Sequence, residues 1–408
     1  MTELDKKKFF KEITVPSVQV CNEKIPLTKN IFKKYLLKME KLRPIIDYDK
    51  EHKSILLDPL IFKDFNQLNE DEKAKLTEVG ISEKNFSFKD LRLEYDNFKM
   101  EDVLKSVLPE GKEGCTSFSR IGHIVHLNLK DHLLPYKHLI GQVLLDKLVG
   151  IRTVVNKSHT IDSTYRNFQM EVLSGETDFV AQVKENMCTF KFDFSKVYWN
   201  SRLCTEHERI IKLLPQEAVL FDVFAGVGPF AIPAAKLHRC RVFANDLNPS
   251  SYEWLNENVR LNKVKNVETF NRDGRDFICQ QLRDFLLNKP LSPVHVTMNL
   301  PALAVEFLDA FIGLLAGTAA PDGLDLTVHV YSFCQGSSAS AEMQSKVESF
   351  LKCSLEDEHV VEIIDVRDVA PKKHMLRMSF RMPSSVLLAL QDEKEAPESK
   401  RIKLDQES

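Results

Sequence analysis

Residues 219–233 read VLFDVFAGVGPFAIP: an apolar run closed by Asp222, then Gly226 and Gly228 two apart, then Pro229 where a third glycine would be expected. A continuous apolar run ending in a Gly turn and followed by an apolar helical segment is the pattern of a strand buried on both faces that feeds a helix. That is the first unit of a parallel sheet. In open α/β sheets the ligand lies beyond the carboxyl ends of the strands, which is where this glycine pair falls. A dinucleotide loop, G-x-G-x-x-G, brings backbone and helix N-terminus up to a pyrophosphate. Here Gly228 is followed by Pro229, Phe230 and Ala231, and nothing in the stretch is shaped for two phosphates.

The motif D-x-F-A-G-x-G suits a cofactor with an adenosine, an amino-acid tail and no phosphate, and S-adenosyl-L-methionine has that shape. The glycines let the backbone close on the tail, and Asp222 meets its ammonium. Alone, the pair would be no more than a tight turn. The chain beyond it changes that. RVFAND (241–246) reads as the second strand, SSYEWLNENVRLNKV (250–264) as a helix, and NVETFNRD, PVHVTMNLP and LTVHVYSF as further strands. The alternation predicts a Rossmann-like α/β domain with a doubly wound parallel sheet over 201–385. Asp246 ends the second strand, where an acid meets ribose hydroxyls. Asp273, in NRDGRDF, follows the third, where a carboxylate accepts from the adenine amino group and Gly274 permits close approach. Asn299 opens N-L-P after the fourth. Each is an ordinary strand-end residue by itself; four in order at successive carboxyl ends make a site. N-L-P narrows the chemistry, because its amide faces a planar nitrogen acceptor as in amino-methyltransferases with an N-P-P-[YF] turn. A cytosine-C5 enzyme needs a nucleophilic Cys, and neither Cys279 nor Cys334 stands in such a turn.

The chain has 408 residues, 43% hydrophobic and 28% charged, with a formal charge of −3. That fits a globular protein of more than one domain, and any nucleic-acid binding must come from local patches. No apolar stretch approaches the roughly 20 residues of a membrane-spanning helix, so no membrane partner is expected. Eight scattered cysteines without C-x-x-C argue against zinc and for a reducing compartment. The N-terminus, MTELDKKKFFKEITV, reads as neither signal peptide nor presequence, and an upstream leader on a longer form stays open. Residues 1–98 contain an expected amphipathic helix at 27–42, a strand at 53–62 and a solvated helix at 69–76. Residues 99–200 predict a small α+β domain: a half-buried strand RIGHIVHLNL (120–129), a helix over 134–150 with Pro135 in its first turn, then strands RTVVN, FQMEVLSGE and CTFKFDFSKVYW. The charged tail 386–408 lacks apolar periodicity and predicts disorder; within it PESKRIKLD resembles a short basic nuclear-import signal.

Several long segments resemble one family, the eukaryotic and archaeal tRNA (guanine-N1)-methyltransferases that modify the guanine 3′ of the anticodon. They are FSRIGHIVHLNLKDHLLPYKHLIGQVLLDK, YRNFQMEVLSGE, FDFSKVYWNSRLCTEHERI, FDVFAGVGPFAIPAAK, ANDLNP and NLPALAVEFLDAF, within about residues 88 to 385. The resemblance implies methyl transfer from S-adenosyl-L-methionine to N1 of guanine 37. N1 carries a proton at neutral pH, so the site needs a base for it and a cation for charge developing on O6. By resemblance the base is Glu206 of T-E-x-x-R, the cation Arg166 of Y-R, and Asn299 orients the guanine and borders the cofactor. His207, Asp222, Gly226, Gly228, Asp246, Leu247, Asp273 and Gly274 carry over as the cofactor shell. At His207 archaeal relatives carry an arginine, and Ser201 replaces the proline of W-N-P-R. On residue pattern alone, Glu206 and Arg209 would be an i, i+3 pair on a helix and Arg166 a surface phosphate contact.

The resemblance also implies tRNA as partner, held at anticodon stem-loop and elbow by a monomer in cytoplasm and nucleus, with mitochondria possible. It implies a first step toward wybutosine and a place in reading-frame maintenance. Lysines of LTKNIFKKYLLKMEKLR and KDHLLPYKH, with Arg202, are candidate phosphate contacts or simply solvated charges. Three rivals stand: a wybutosine-pathway aminocarboxypropyl transferase, a non-catalytic tRNA binder, and a nicotinamide dehydrogenase, the last disfavoured by the missing third glycine.

Overall fold

The computed structural model describes residues 4–109, 117–161, 168–288, 292–318, 323–336 and 338–390. The chain separates into two compact units, Met1–Lys157 with Met170–Thr177, and Ser158–Gln169 with Asp178–Ser408, so the stretch 99–200 is shared between them.

The first unit holds an antiparallel sheet in the order Ile45–Asp47, His52–Leu56, Phe10–Cys21, Phe86–Glu94. Its helix Glu70–Glu78 matches the expectation for 69–76 and starts on a capping box, Asn69 Oδ1 accepting the Glu72 amide at 2.8 Å and Glu72 Oε2 the Asn69 amide at 3.1 Å. The helix expected over 27–42 is mostly absent. Only Ile25–Ile31 is helical, and Tyr35, Leu36 and Leu37 then bury against the sheet, Leu36 bridging Leu57 and the Leu37 amide donating to Leu56 at 3.0 Å. A strand edge satisfies the backbone there, and packing overrides helical spacing. The strand expected over 53–62 ends at Leu56, because Asp58 turns the chain by accepting the Leu60 amide at 2.9 Å. RIGHIVHLNL is two strands, Phe118–Ile121 and Ile124–Leu127, folded back on each other at Gly122 with φ +58°. Glycine adopts that left-handed backbone without a Cβ clash. Pro135 lies in the 3₁₀ turn Asp131–Tyr136, and the α-helix, Lys137–Lys147, begins after it.

The second unit is built on one seven-stranded sheet: β1 (Val219–Asp222), β2 (Arg241–Asn245), β3 (Val267–Phe270), β4 (Val294–Met298), β5 (Leu326–Gln335), β6 (Val360–Ala370) and β7 (Lys373–Arg381). The order is β3-β2-β1-β4-β5-β7-β6. The first five strands are parallel, as expected, but β7 runs antiparallel to β5 and β6 to β7, so the sheet is mixed. Two residues link β6 to β7, which permits only a reversal of direction. Helices α1 (Cys204–Leu213), α2 (Ala231–Leu237) and α3 (Pro249–Leu261) belong to this unit. Phe221 stacks on Phe243 at 4.5 Å, and Phe277 and Leu286 complete the packing beside them. Burying each such side chain stabilises by about 1.5–3 kcal/mol. The chain stays packed past residue 385: in helix Ser384–Leu387, Val386 and Leu387 are buried in this core. The remaining tail, 391–408, lies outside the described residues. The strand order places β1 and β4 side by side with the chain departing in opposite directions from them, which makes their carboxyl ends the switch point.

Candidate active site

The two glycines after β1 have different tasks. Gly228, at φ +97°, is set by packing: a Cβ there would lie 2.8 Å from both Ile232 Cδ1 and Leu255 Cδ1, on α2 and α3. Gly226, at φ +55°, would place a Cβ in open space with nothing within 4 Å. Only Gly226 therefore leaves room for a ligand, whereas both were expected to. The loop is clipped from behind by buried Asn258, whose Nδ2 donates to Val227 O at 3.1 Å. In front, Asp246 Oδ2 accepts the Gly226 amide at 2.8 Å and Oδ1 the Asn248 amide at 2.9 Å. Its dense surroundings push the Asp246 carboxyl up to about 6, against the pull of those amides. Asn248 caps α3 by accepting the Ser250 amide at 3.0 Å, and Pro249 takes the first helical position, where no amide is needed. Leu247 projects beside Asp246, half exposed.

Asp222 pairs in register with Thr297 across β1 and β4. It is fully buried, and neither carboxylate oxygen has a hydrogen-bond partner; the Thr297 hydroxyl and Asn299 Oδ1 are likewise buried and unpartnered. Burial first, then the Asp246 carboxylate, push the Asp222 carboxyl up to about 7. The Thr297 hydroxyl and Phe224 amide pull the other way without reaching normal hydrogen-bond geometry. Each unsatisfied buried polar group costs about 1–3 kcal/mol. Acceptors left open at the switch point are complementary to a ligand that brings N–H donors and positive charge. An amino-acid ammonium does so, and S-adenosylmethionine fits these residues on that ground. Asp273 caps the short helix Gly274–Phe277, accepting the Arg275 amide at 2.8 Å. A Cβ on Gly274 would sit 2.9 Å from the Phe307 ring, so that glycine too is demanded by packing.

Helix α1 buries Glu206, His207, Ile210 and Ile211, a single face at i, i+1, i+4 and i+5. Glu206 and Arg209 do form the i, i+3 pair that their spacing allows, at 2.5 Å, with the Glu206 end buried at 2% exposed. The Glu206 carboxylate also accepts from the Tyr331 hydroxyl at 2.9 Å and from Arg377 Nε at 2.7 Å. Its place in the first turn of α1 adds the favourable end of the helix dipole. His207 is buried with Nδ1 2.5 Å from Glu185 Oε1 and its ring edge-on to Phe230 at 4.7 Å. Arg202 is exposed. Arg166 lies outside the described residues.

The structure thus brings Asp222, Gly226, Asp246, Asp273 and Asn299 to the carboxyl ends of β1 to β4, and sets Glu206 against β5 and β7. Sequence reading missed Tyr331, Arg377 and Asn245. Asn245 Nδ2 donates to Val223 O at 3.1 Å and to Arg272 O at 3.0 Å, tying the loops after β1 and β3 together. The signal for Arg377 was present in MLRM, a charged residue with apolar neighbours on both sides within β7.

A family model described as the TRM5/TYW2 methyltransferase domain matches residues 181–375, and one described as the TYW2 N-terminal domain matches 100–178. The tRNA (guanine(37)-N(1))-methyltransferase of Drosophila melanogaster is 49% identical over 403 residues, covering 96% of this chain and 87% of its own length. The protein of that name from Homo sapiens is 47% identical over 396 residues, covering 95% and 77%. Among solved structures, the complex of aTrm5 and tRNALeu covers 91% of this chain and 100% of its own at a TM-score of 0.61 and 23% identity. Trm5b from Pyrococcus abyssi covers 90% and 98% at a TM-score of 0.59 and 24% identity. At those identities the structures establish a shared fold.

Proposed function

Since this chain belongs to the tRNA (guanine(37)-N(1))-methyltransferase family, we propose that it methylates N1 of guanine 37 in tRNA with S-adenosylmethionine as donor. The observation that carries the reading is the buried, unpartnered Asp222 carboxylate beside open Gly226 at the switch point. Asp222, with Asn299, receives the ammonium and adjoining atoms of the tail. Gly226 gives the tail room, and Asp246, Leu247, Asp273 and Gly274 border the nucleoside. When bound, the cofactor supplies a sulfonium methyl as electrophile. Glu206 takes the N1 proton, which makes the ring nitrogen nucleophilic. Arg166 balances charge on O6, and Asn299 orients the base. His207 has Nδ1 committed to Glu185, and acts by holding α1 in place.

Guanine 37 must leave the anticodon stack to reach this pocket, at a cost of a few kcal/mol that contacts along the tRNA offset. The protein acts as a monomer on anticodon stem-loop and elbow, in cytoplasm and nucleus and in mitochondria where a longer form exists. In tRNA-Phe its product starts the route to wybutosine. The test is transfer of labelled methyl from S-adenosylmethionine to an unmodified tRNA transcript with guanine at position 37, beside one with adenine there. Label on the first alone is the expected outcome. Because the matching family model also spans TYW2 proteins, the nucleoside mass is read as well. An aminocarboxypropyl adduct in place of a methyl would sink the reading, and no adduct on either transcript with cofactor still bound would make the chain a non-catalytic binder.

A further inference from the structure

The two oxygens of Glu206 are held in different ways. Oε1 accepts from the Tyr331 hydroxyl at 2.9 Å and from Arg377 Nε at 2.7 Å, and both donors are fully buried. Tyr331 and Arg377 are register partners on β5 and β7. Arg377 is itself anchored, donating from one terminal nitrogen to Glu362 Oε1 at 2.7 Å and to Ser379 Oγ. Oε2 meets Arg209, whose side chain is 38% exposed. Taking a guanidinium out of water costs several kcal/mol unless it is paired, and Arg377 still leaves one nitrogen without a partner. Such an expense in the wall of a methyl-transfer site calls for a reason beyond packing.

We propose that Tyr331 and Arg377 are positioning residues for the base: they grip Oε1 of Glu206 and reserve Oε2 for the guanine N1 proton. This rests on the reading of Glu206 as base. The carboxylate torsion of a free glutamate is broad, and a misaligned acceptor forfeits much of the advantage of proximity. Two buried donors on one oxygen fix the carboxylate plane. Arg209 covers the other oxygen through a long side chain that is 38% exposed, which makes it, among the described partners of Glu206, the one able to swing into solvent as substrate arrives. The N1–H bond then breaks toward Oε2, forming O–H. The electron pair left on N1 forms the bond to the methyl carbon, and the C–S electrons return to sulfur as a neutral thioether. The charged and titratable groups around Glu206 are Arg209 on its own helix, Tyr331 on β5, and Arg377 on β7. Behind these lie Glu362 on β6, Asp222 on β1 and His329 on β5.

The test is Tyr331→Phe in the full chain, which removes one oxygen and keeps the ring. Single-turnover methyl transfer is measured over a series of guanine-37 transcript concentrations, with binding of S-adenosylhomocysteine as control, in the parent and in a Glu206→Gln background. The expected result is a maximal rate about tenfold lower, an unchanged transcript concentration at half-maximal rate, unchanged S-adenosylhomocysteine affinity, and no further loss in the Gln background. An unchanged maximal rate in Tyr331→Phe, with Glu206→Gln slow, would overturn the positioning role while the base stands. Equal slowing by Tyr331→Phe in both backgrounds would show it acting elsewhere, and overturns it too. Full activity of Glu206→Gln would remove the base reading itself, and the positioning role with it.

Discussion

Asp246 Oδ2 accepts the amide of Gly226 at 2.8 Å, twenty residues earlier in the chain. The acid at the end of β2 thus fixes the shape of the glycine loop. If Asp246 also borders the nucleoside, as proposed, binding and loop order are coupled through one carboxylate.

Asp246→Ala leaves two loop amides, of Gly226 and Asn248, without their acceptors. Both bonds are partly buried, and a fully buried amide that loses its partner costs about 1–3 kcal/mol, which is the upper bound for each here. The variant is expected to bind S-adenosylhomocysteine at least tenfold more weakly, about 1.4 kcal/mol, and to melt at lower temperature. Calorimetric titration checks this, and parental affinity would take Asp246 out of the site.

Cofactor affinity is expected to depend on pH through Asp222. Its carboxyl is raised from an ordinary 3.8 to about 7, burial being the main cause. The folded chain therefore holds a proton that the unfolded chain has lost, and this group's contribution to stability falls as pH rises from about 4 through about 7. Asp246, raised to about 6, acts in the same direction. An ammonium beside Asp222 favours the ionised form, so binding S-adenosylmethionine is expected to release protons near pH 7, with affinity rising from about pH 6 to about pH 8. Titrations in two buffers of different ionisation enthalpy measure the release. It should fall sharply in Asp222→Asn; an undiminished release would assign it to another group.

The glycine pair separates folding from binding. Gly228→Ala drives a Cβ into Ile232 and Leu255 at φ +97°, and is expected to lower both melting temperature and cofactor affinity. Gly226→Ala meets no atom and costs only about 1–2 kcal/mol for the left-handed backbone. It is expected to melt within a few degrees of the parent and to lose most cofactor affinity. Parental affinity in Gly226→Ala would mean that the open space beside it is not used.

Glu206→Gln should show two separable effects. The amide cannot take the N1 proton, so single-turnover transfer is expected to fall by about 10² or more. It also strips Arg377 of one of its two carboxylate partners. Removing one member of a buried pair costs up to about 3–5 kcal/mol, and thermal unfolding should report it. A variant as stable as the parent would show the Glu362 pair to suffice alone.

What the residue string determined by itself is local and periodic. The apolar run 219–222, the glycine turn and the acids closing successive strands placed β1 to β4 and the ligand end of the sheet, because a strand buried on both faces must be apolar and must end where polar residues begin. The same reasoning failed at 27–42, where helical spacing gave way to a sheet edge that offered Leu36 and Leu37 backbone partners. It failed again at β6 and β7, whose antiparallel entry into the sheet depends on a two-residue link. Only the tertiary structure could join Glu206 to Arg377 across 171 residues. A charge between apolar neighbours reads as an anomaly until its counter-charges are found. Local partners, Glu362 for Arg377 and Arg209 for Glu206, offset part of the desolvation cost, and the share each supplies to the other across the chain is present in neither local segment.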